Sequence, residues 1–424
     1  AQIYARDTSQ TRINQRYNAQ FVATVVPDTV FLDLRGAAAV QAAGGGFSTQ
    51  GTPVIDRNNQ VQTQSFQISP YYVHRFADTA TARIGYAFQS VRQNLGSNGA
   101  GGLTSQGTPF FSNQDFTANE GYAVIRTGPD FGRLAAETRI VSTDYDGTGV
   151  LRAASRRIAT VETRYSITRQ FAVLAEGGYE AQRYSGVPPF RLSEGVWGFG
   201  FRLTPSEQSA ITVKYTHRNG FDSPVVNAVV GLGGRTQIFA SYAETLTSGA
   251  QRAVDLLSTT TLDALGNPVD AATGAPVAQP FADSFLGTQS SLQRLRRGVV
   301  SISQAWPRDI ITLSLSYEQR RPIAVALGST AVQQRGASAT LSWTHLLTPD
   351  TSFIGSVQYG RFDQPGGVAG QGSSDVFSAF ATLTTQFTPG LSGFLQYGLT
   401  NRVNEGQTGH TLQNIVIIGL RQSF

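Results

Sequence analysis

The sequence predicts an all-β protein that forms a transmembrane antiparallel β-barrel of about 18 strands, with short periplasmic turns and longer extracellular loops. Three observations lead to this fold class: a low content of charge, an alternation of apolar and polar residues, and two kinds of connection between the alternating segments. Charged residues make up 14% of the 424 residues, whereas a soluble domain carries about 25%. Hydrophobic residues account for 40% and glycine is abundant, with 45 residues. This combination is typical of strands that have one lipid face and one polar lumen face.

Apolar and polar residues alternate with the period of a β-strand through most of the chain. In the clearest segment one face carries Ile311, Leu313, Leu315 and Tyr317, and the other carries Thr312, Ser314, Ser316 and Glu318. A soluble β-sandwich would show the same alternation, with the apolar face in its core. The low charge and the long, consecutive hairpin segments favour the membrane, where the apolar face meets lipid and the polar face lines the lumen.

The connections between the segments are of two kinds, which fixes the expected number of strands. Eight are short and rich in turn-forming residues, at residues 77–79, 128–131, 168–169, 205–207, 233–234, 307–308, 349–350 and 389–390. Nine vary in length and are mostly longer, from the few residues at 219–224 to the stretch at 248–288. A barrel with both termini in the periplasm has one more loop than it has turns, so nine loops and eight turns give eighteen strands.

The eighteen expected strands together form one domain, a barrel over residues 29–424. In chain order they lie at residues 29–42, 66–76, 80–91, 120–127, 132–145, 156–167, 170–184, 195–204, 209–217, 225–232, 236–246, 292–306, 310–320, 333–347, 351–362, 374–388, 391–403 and 411–424. Residues 1–28 lie outside this count and are expected to form a periplasmic extension or a segment inside the lumen. Their strand-like run at 19–25 is also compatible with docking to a partner.

The last segment has the features of an outer-membrane assembly signal. Val416, Ile418 and Leu420 alternate with more polar positions, so we expect them to face lipid while the strand closes the barrel against residues 29–42. The terminal Phe424 resembles the aromatic signal that the outer-membrane assembly machinery recognises. The chain contains no methionine, so we expect a mature chain whose signal peptide has been removed, located in the outer membrane of a Gram-negative bacterium.

No residue pattern indicates an enzyme. Cysteine is absent, and the four histidines, His74, His217, His345 and His410, are far apart in the sequence. Neither a nucleophile elbow nor a phosphate-binding loop is present. We therefore expect no enzymatic activity, no cofactor, no metal site and no nucleic-acid partner.

Charged residues on the polar faces of the strands are candidates for the lining of the lumen. Strand parity places these inside: Arg83, Glu137, Arg139, Glu162, Arg164, Glu176, Lys214, Glu318, Arg320, Arg402 and Arg421. Opposite charges on neighbouring strands are compatible with salt-bridge ladders that brace the wall. They are also compatible with a selectivity lining, and the presence of both signs suits a neutral or mildly anionic hydrophilic polymer.

Two features lie at the expected extracellular mouth. Arg294, Arg296 and Arg297 form the densest basic run, which would hold lipopolysaccharide phosphates outside the barrel or guide acidic cargo inside it. The loop at 248–288 is rich in turn residues, and we expect it to contain no helix. Loops of this length are usually functional or disordered, so our hypothesis is that it folds over or into the pore as a gate or constriction.

Four segments carry a resemblance to a known family: residues 195–220 (GVWGFGFRLTPSEQSAITVKYTHRNG), 233–252 (GGRTQIFASYAETLTSGAQR), 292–321 and 335–363 (RGASATLSWTHLLTPDTSFIGSVQYGRFD). They resemble outer-membrane barrels of the β-barrel porin 2 class, which are associated with PEP-CTERM and exopolysaccharide loci. The resemblance covers most of residues 17–424 and brings no catalytic residues. It implies a role in passing a secreted polysaccharide across the outer membrane.

The expected function is therefore an outer-membrane channel that exports a hydrophilic polysaccharide, together with a periplasmic polysaccharide-export protein. Two alternatives stay open: a passive porin for small hydrophilic solutes, and a plugged structural or scaffold barrel. The expected partners are outer-membrane lipid, lipopolysaccharide, the assembly machinery and the polysaccharide cargo.

The assembly signal yields a first prediction. Phe424→Ala should lower the amount of folded barrel in the outer membrane, because the terminal aromatic residue is the feature that resembles the signal. The measurement is the fraction of heat-modifiable protein on a gel of outer-membrane extracts, with Gln422→Ala as the matched control. Normal levels of folded barrel in the Phe424 variant would contradict the assignment.

Overall fold

The computed structural model describes residues 17–43, 60–95, 111–255, 257, 260–262, 268–270, 286–363, 373–404 and 410–422. Within these ranges, no helix has both the length and the apolar content that a membrane crossing requires.

Nineteen strands form one sheet in which neighbours in sequence are antiparallel neighbours in space. The strands of its first part are β1 Tyr17–Val26, β2 Val30–Ala42, β3 Gln60–Phe76, β4 Ala80–Leu95, β5 Gln114–Thr127, β6 Leu134–Gly147, β7 Ala154–Ser166, β8 Phe171–Tyr184, β9 Phe190–Ser206, β10 Ser209–Arg218, β11 Phe221–Leu232 and β12 Thr236–Ser248. A helix α1 (Gly249–Asp255) and a small hairpin of β13 (Thr260–Leu262) and β14 (Pro268–Asp270) follow. The second part of the sheet comprises β15 Ser291–Ala305, β16 Asp309–Val325, β17 Gln334–Thr348, β18 Thr351–Asp363, β19 Ser374–Thr388, β20 Leu391–Asn404 and β21 His410–Gln422.

The fold is the transmembrane antiparallel β-barrel that the sequence predicts. The eighteen expected strands correspond in order to β2–β12 and β15–β21, and the eight expected short turns join the strand pairs as predicted. Several strands run further toward the loop side than expected; β3 begins at Gln60 and β16 continues to Val325. These extensions are polar or interrupted by proline and carry no clean alternation, but their backbones continue the ladders with β2 and β15.

The sheet has one strand more than the eighteen expected. β1 pairs along β2, from Tyr17 opposite Ala38 to Val26 opposite Val30. Part of residues 1–28, expected as a periplasmic extension or lumen segment, is thus a strand of the sheet, whereas residues 1–16 lie outside the described residues.

The expected closure of the last strand against residues 29–42 is wrong. β1 and β3 occupy the two edges of β2 over Val30–Ala38, and the described ladder of β21 is with β20. In a meander of nineteen strands the first and last strands run in the same direction, so any pairing between β1 and β21 is parallel.

The outward face of the sheet is apolar and exposed, as a lipid-contacting surface must be. On β16, Leu313 is 41% and Leu315 is 51% exposed, whereas the adjacent Thr312, which points to the opposite face, is 2% exposed. The alternation predicted for this segment is therefore present in three dimensions. Exposed aliphatic and aromatic side chains of this kind occur on nearly every strand, and a surface so extensively apolar indicates contact with lipid.

The sheet curves back on itself, as contacts between segments that follow distant strands show. The residue after β2, Ala43, forms a parallel bridge with Thr288, just before β15. Val187, after β8, pairs with Val325 at the end of β16. The buried apolar side chains concentrate at this loop end, so the core of the molecule lies at the extracellular end of the lumen.

The position of β1 can be tested with engineered disulfides, since the natural chain has no cysteine. In the double variant Ala23→Cys with Leu32→Cys, oxidation should link the two positions, because they are opposite each other in the β1–β2 register. Proteolysis and mass spectrometry of the oxidised barrel measure the link.

The control joins β2 to the last strand: Leu32→Cys combined in turn with Val416→Cys, Ile418→Cys or Leu420→Cys. None of these pairs should cross-link efficiently while β1 occupies the edge of β2. A dominant link between position 32 and the last strand would show that β21, and not β1, lies against β2.

Candidate functional site

The extracellular end of the lumen holds a short helix, α1, which directly continues β12. Its start is fixed by reciprocal hydrogen bonds: the backbone N–H of Gln251 donates to Ser248 Oγ (3.2 Å), and the backbone N–H of Ser248 donates to Gln251 Oε1 (3.0 Å). This is a capping box, with the Ser-x-x-Gln spacing that favours a helix start. The expectation that 248–288 contains no helix is therefore wrong; the sequence signal for the helix was the capping box.

Helix α1 is packed inside the barrel and not exposed above it. Gly249, Ala250, Arg252, Ala253 and Val254 are buried, and the helix contacts β3, β4, β5 and β12. A Cβ atom on Gly249 would collide with the Thr288 hydroxyl, so glycine permits this close approach. The hypothesis that this loop folds into the pore is thus supported for the part of it that the structure describes.

Polar contacts attach the helix to the wall on several sides. Gln93 Nε2 on β4 donates to the carbonyl oxygen of Gly249 (3.4 Å), and Gln251 Nε2 donates to Tyr184 Oη on β8 (3.3 Å). The helix starts on β12 and reaches β3, β4 and β8, which are several strands away from β12 in the sheet, so it crosses the lumen.

A buried ionic cluster forms the central attachment. Arg252 Nη1 and Nη2 donate to Glu318 Oε1 and Oε2 on β16, at 2.7 and 3.1 Å. Arg320 also pairs with Glu318 and donates through Nη1 to the carbonyl oxygen of Gly287 (2.7 Å). The side chains of Arg252 and Glu318 are each 8% exposed. Two-point pairing in a water-poor place gives both strength and a defined geometry.

Hydrogen bonds between other loops also close the extracellular end of the lumen. The backbone N–H of Thr288 donates to the carbonyl oxygen of Ala42 (2.8 Å), and the backbone N–H of Ser112 donates to Ser290 Oγ (2.9 Å). We call α1 together with residues 286–290 the luminal plug. Helix α1 packs into an apolar cluster that includes Val91, Phe116, Tyr145, Leu151, Tyr184, Ala250, Ala253, Val254 and Leu292. Leu286 packs in a second cluster, with Phe362 and Val376.

The candidate lining residues lie on the face opposite the exposed apolar one, and several of them form ion pairs. Lys214 Nζ lies 2.6 Å from Glu162 Oε2 and 3.2 Å from Glu176 Oε2. Glu137 pairs with Arg126 across β5 and β6 at 2.6 Å. Glu318 and Arg320 belong to the buried cluster described above. These residues form cross-strand pairs that brace the wall.

The remaining candidates make other contacts, have no ion pair within the described ranges, or have side chains outside the described residues. Arg83 stacks on Tyr71, 3.8 Å from the ring centroid. Arg139 and Arg164 have no ion pair within the described ranges. Arg402 is near the Phe362 ring, at 5.7 Å. The side chain of Arg421 lies outside the described residues, as does Phe424.

The basic run of β15 divides between the two faces of the wall. Val300 and Ile302 are exposed, at 49% and 42%, so even positions face outward. Arg294 and Arg296 therefore lie on the outer surface. Arg297 lies on the inner face, opposite Glu318 in the ladder. The outer position that lipopolysaccharide contact requires is therefore that of Arg294 and Arg296, and the inner position that contact with cargo requires is that of Arg297.

Sequence reasoning missed Arg252, Gln251 and Tyr184, which join the helix to the wall. Arg252 and Gln251 lie in a segment judged to be a loop, and only the capping box indicated their place. Tyr184 ends a predicted strand, but no pattern in the sequence indicates a partner from a loop 67 residues away.

Comparison with protein-family models finds no matching family, and comparison with curated proteins finds no match. Among solved structures, the siderophore receptor PirA from Acinetobacter baumannii has a TM-score of 0.51 at 6% identity, over 95% of this chain and 70% of the receptor. PirA from Pseudomonas aeruginosa scores 0.49 at 12% identity, over 94% and 67%. A BenF-like porin from Pseudomonas fluorescens Pf-5 scores 0.42 at 9% identity, over 94% and 100%. The likeness to the Acinetobacter receptor, at a TM-score of 0.51, shows the fold alone, a β-barrel of the outer-membrane type. The resemblance to polysaccharide-locus barrels stays a prediction.

The ionic cluster gives a prediction for channel behaviour. Arg252→Ala removes the two hydrogen bonds from α1 to Glu318, a charged contact worth about 1.5–3 kcal/mol. Open events of the purified barrel in a planar bilayer should become about tenfold more frequent or more. The control is Arg335→Ala, which breaks an exposed pair with Asp363 on the outer face and should leave the record unchanged. Identical records for the two variants would mean that the cluster does not hold the plug.

Proposed function

We propose that the protein is a gated outer-membrane channel that passes a secreted hydrophilic polysaccharide, with the luminal plug as its gate. The observation that carries the proposal is the attachment of the plug: a helix lies across the lumen and is held to the wall by the Arg252–Glu318 pair. The plug is a part of the chain between β12 and β15, so its displacement opens the lumen without loss of any strand.

The plug interface is polar enough to separate. Within the described residues, several buried amide and hydroxyl groups near it have no hydrogen-bond partner, among them Gln93 Oε1, Gln289 Nε2 and the side-chain amide of Gln293. Each such group costs about 1–3 kcal/mol. Movement of the plug would let water or sugar hydroxyls bind these groups, which lowers the free energy of the open state relative to the closed one.

The lining of the wall suits a hydrophilic polymer. Ser314 and Ser316 line the inner face of β16. Lys214 and Arg218 together balance the charges of Glu162 and Glu176 on the inner face of β7, β8 and β10. Hydroxyl and amide groups offer weak and replaceable hydrogen bonds to sugar hydroxyls. The similarity of segments such as residues 195–220 to barrels of exopolysaccharide loci supports the same cargo, and a periplasmic export protein would open the channel.

A plugged scaffold is the second candidate function. The apolar packing of Ala250, Ala253 and Val254 in the loop-end cluster favours it, because this packing stabilises the closed state. A passive porin would need the plug to move aside without a partner.

The experiment removes the gate and measures conductance. Ser248 and Leu292 are opposite each other in the β12–β15 ladder, so residues 249–291 can be replaced by Asn-Gly, which makes a two-residue hairpin turn. Single-channel conductance in a planar bilayer should rise well above that of the full chain. The matched control keeps α1 and residues 286–290 and replaces residues 258–285 with a flexible linker; it should stay closed.

Three outcomes separate the functions. An exporter is closed when purified, opens on removal of the plug, and its gene deletion abolishes surface polysaccharide. A passive porin conducts openly as the full chain and admits small sugars in liposome swelling. A scaffold is silent in both assays, and its deletion leaves surface polysaccharide intact. Unchanged conductance after removal of residues 249–291 would contradict the proposal that the luminal plug is a gate.

A further inference from the structure

Three arginines form an uncompensated positive cluster on the outer, lipid-side surface of the barrel. Arg294 and Arg296 come from β15, and Arg321 is on the outward face of β16, directly opposite Arg294 in the ladder. Two like charges opposite each other on adjacent strands destabilise a sheet. This pair therefore requires nearby negative charge, which the protein supplies only in part.

Among the described residues, the carboxylate that pairs with the cluster is that of Glu244 on β12. Arg294 Nε and Arg296 Nε donate to its Oε2 at 2.7 and 3.0 Å. Arg321 has no ion pair within the described ranges of the chain. Arg294 and Arg296 thus share the carboxylate of Glu244, so the described groups of the cluster, three guanidinium groups and one carboxylate, carry two excess positive charges.

The cluster is held in a fixed geometry and borders a cleft. The Arg294 guanidinium lies over the Phe221 ring, 4.1 Å from its centroid, and Arg296 Nη1 donates to Gln319 Oε1 (3.3 Å). A cleft of about 80 Å³ lies between the three arginines, Gln319 and Gln333. Guanidinium groups that are already oriented lose little freedom when they bind a phosphate in two-point fashion.

The position of the cluster corresponds to the headgroup level of the outer leaflet. Along the outward face of β16 the apolar side chains end with Tyr317, which is 42% exposed. Gln319 and Arg321 follow. At about 3.3 Å per residue, Arg321 lies about 13 Å beyond Tyr317 along the strand. Tyrosines mark the membrane interface of such barrels, so the arginines lie just outside the hydrocarbon.

We propose that this outer arginine cluster binds the phosphate groups of a phosphorylated glycolipid in the outer leaflet. Phosphate is the anion that suits three converging guanidinium groups. The apolar face below the cluster, with Val300 and Leu315, gives the acyl chains of the same molecule a surface to lie on. Arg297 is on the inner face and takes no part. The site does not depend on what passes through the lumen.

The test measures glycolipid retained by the purified barrel. The triple variant Arg294→Gln, Arg296→Gln, Arg321→Gln should retain about tenfold less lipopolysaccharide than the natural chain, measured by native mass spectrometry and by hydroxy-fatty-acid content. The matched control is Arg335→Gln with Arg361→Gln. These arginines lie on the outer face of β17 and β18, but Asp363 and Asp375 balance their charge, so retention should not change.

Two further arms identify the ligand. Re-binding in detergent should be strong with diphosphorylated lipid A and about tenfold weaker with enzymatically dephosphorylated lipid A. Inorganic phosphate should compete only at concentrations far above those of the lipid. Equal binding of dephosphorylated lipid A, or full displacement by equimolar inorganic phosphate, would overturn a glycolipid phosphate site.

A folding control keeps the test decisive. Heat-modifiability on gels shows whether the triple variant forms a barrel. If it does not, the single variant Arg321→Gln serves instead, because this arginine has no ion pair to lose within the described part of the chain. It should fold normally and retain several-fold less lipopolysaccharide, and retention equal to that of the natural chain would contradict the proposal.

Discussion

The rest of the structure depends on one constraint: a backbone polar group in hydrocarbon must form its hydrogen bond within the protein. Eighteen successive antiparallel pairings satisfy this constraint along the sheet from β1 to β21. The ladder also determines the side chains. Because it holds each strand extended, successive residues point to opposite faces, so one face contacts lipid and the other encloses water. Charged groups such as Lys214 are confined to the inner face within the membrane, where carboxylates of neighbouring strands lie within reach.

The same alternation explains which parts of the molecule the sequence predicts. Strands such as β16 are predictable because successive residues alternate between contact with lipid and contact with the lumen. At the loop ends polar and apolar residues no longer alternate in several strands, although the ladder continues, as at Gln60. The helix α1 is still harder to predict from the sequence. Seven residues are too few to form a stable isolated helix; its stability comes from burial of Ala250 and Ala253 and from the contact with Glu318. Those partners are distant in sequence, so only the capping box was local information.

The arginines of β15 show how one basic run divides between two environments. Adjacent residues of a strand face opposite sides, so Arg296 and Arg297 are neighbours in sequence but are separated by the barrel wall. The composition of the run shows an excess of positive charge but does not show on which face of the wall each charge lies. In the structure, the inner arginine adds to the cluster around Glu318, and the outer ones exceed the charge of Glu244. The electrostatic character of the run therefore follows from strand parity and not from its density of charge.

The luminal plug is joined to the wall at both ends, since α1 follows β12 directly and residues 286–290 lead directly into β15. In the gate proposed above, such a blocking element would be displaced but never released. Its opening would be a unimolecular equilibrium whose position is independent of protein concentration, and reclosure would require no diffusional search. Any factor that held the barrel open would have to bind the displaced segment or the groups that it uncovers, and the barrel would close again when that factor dissociated.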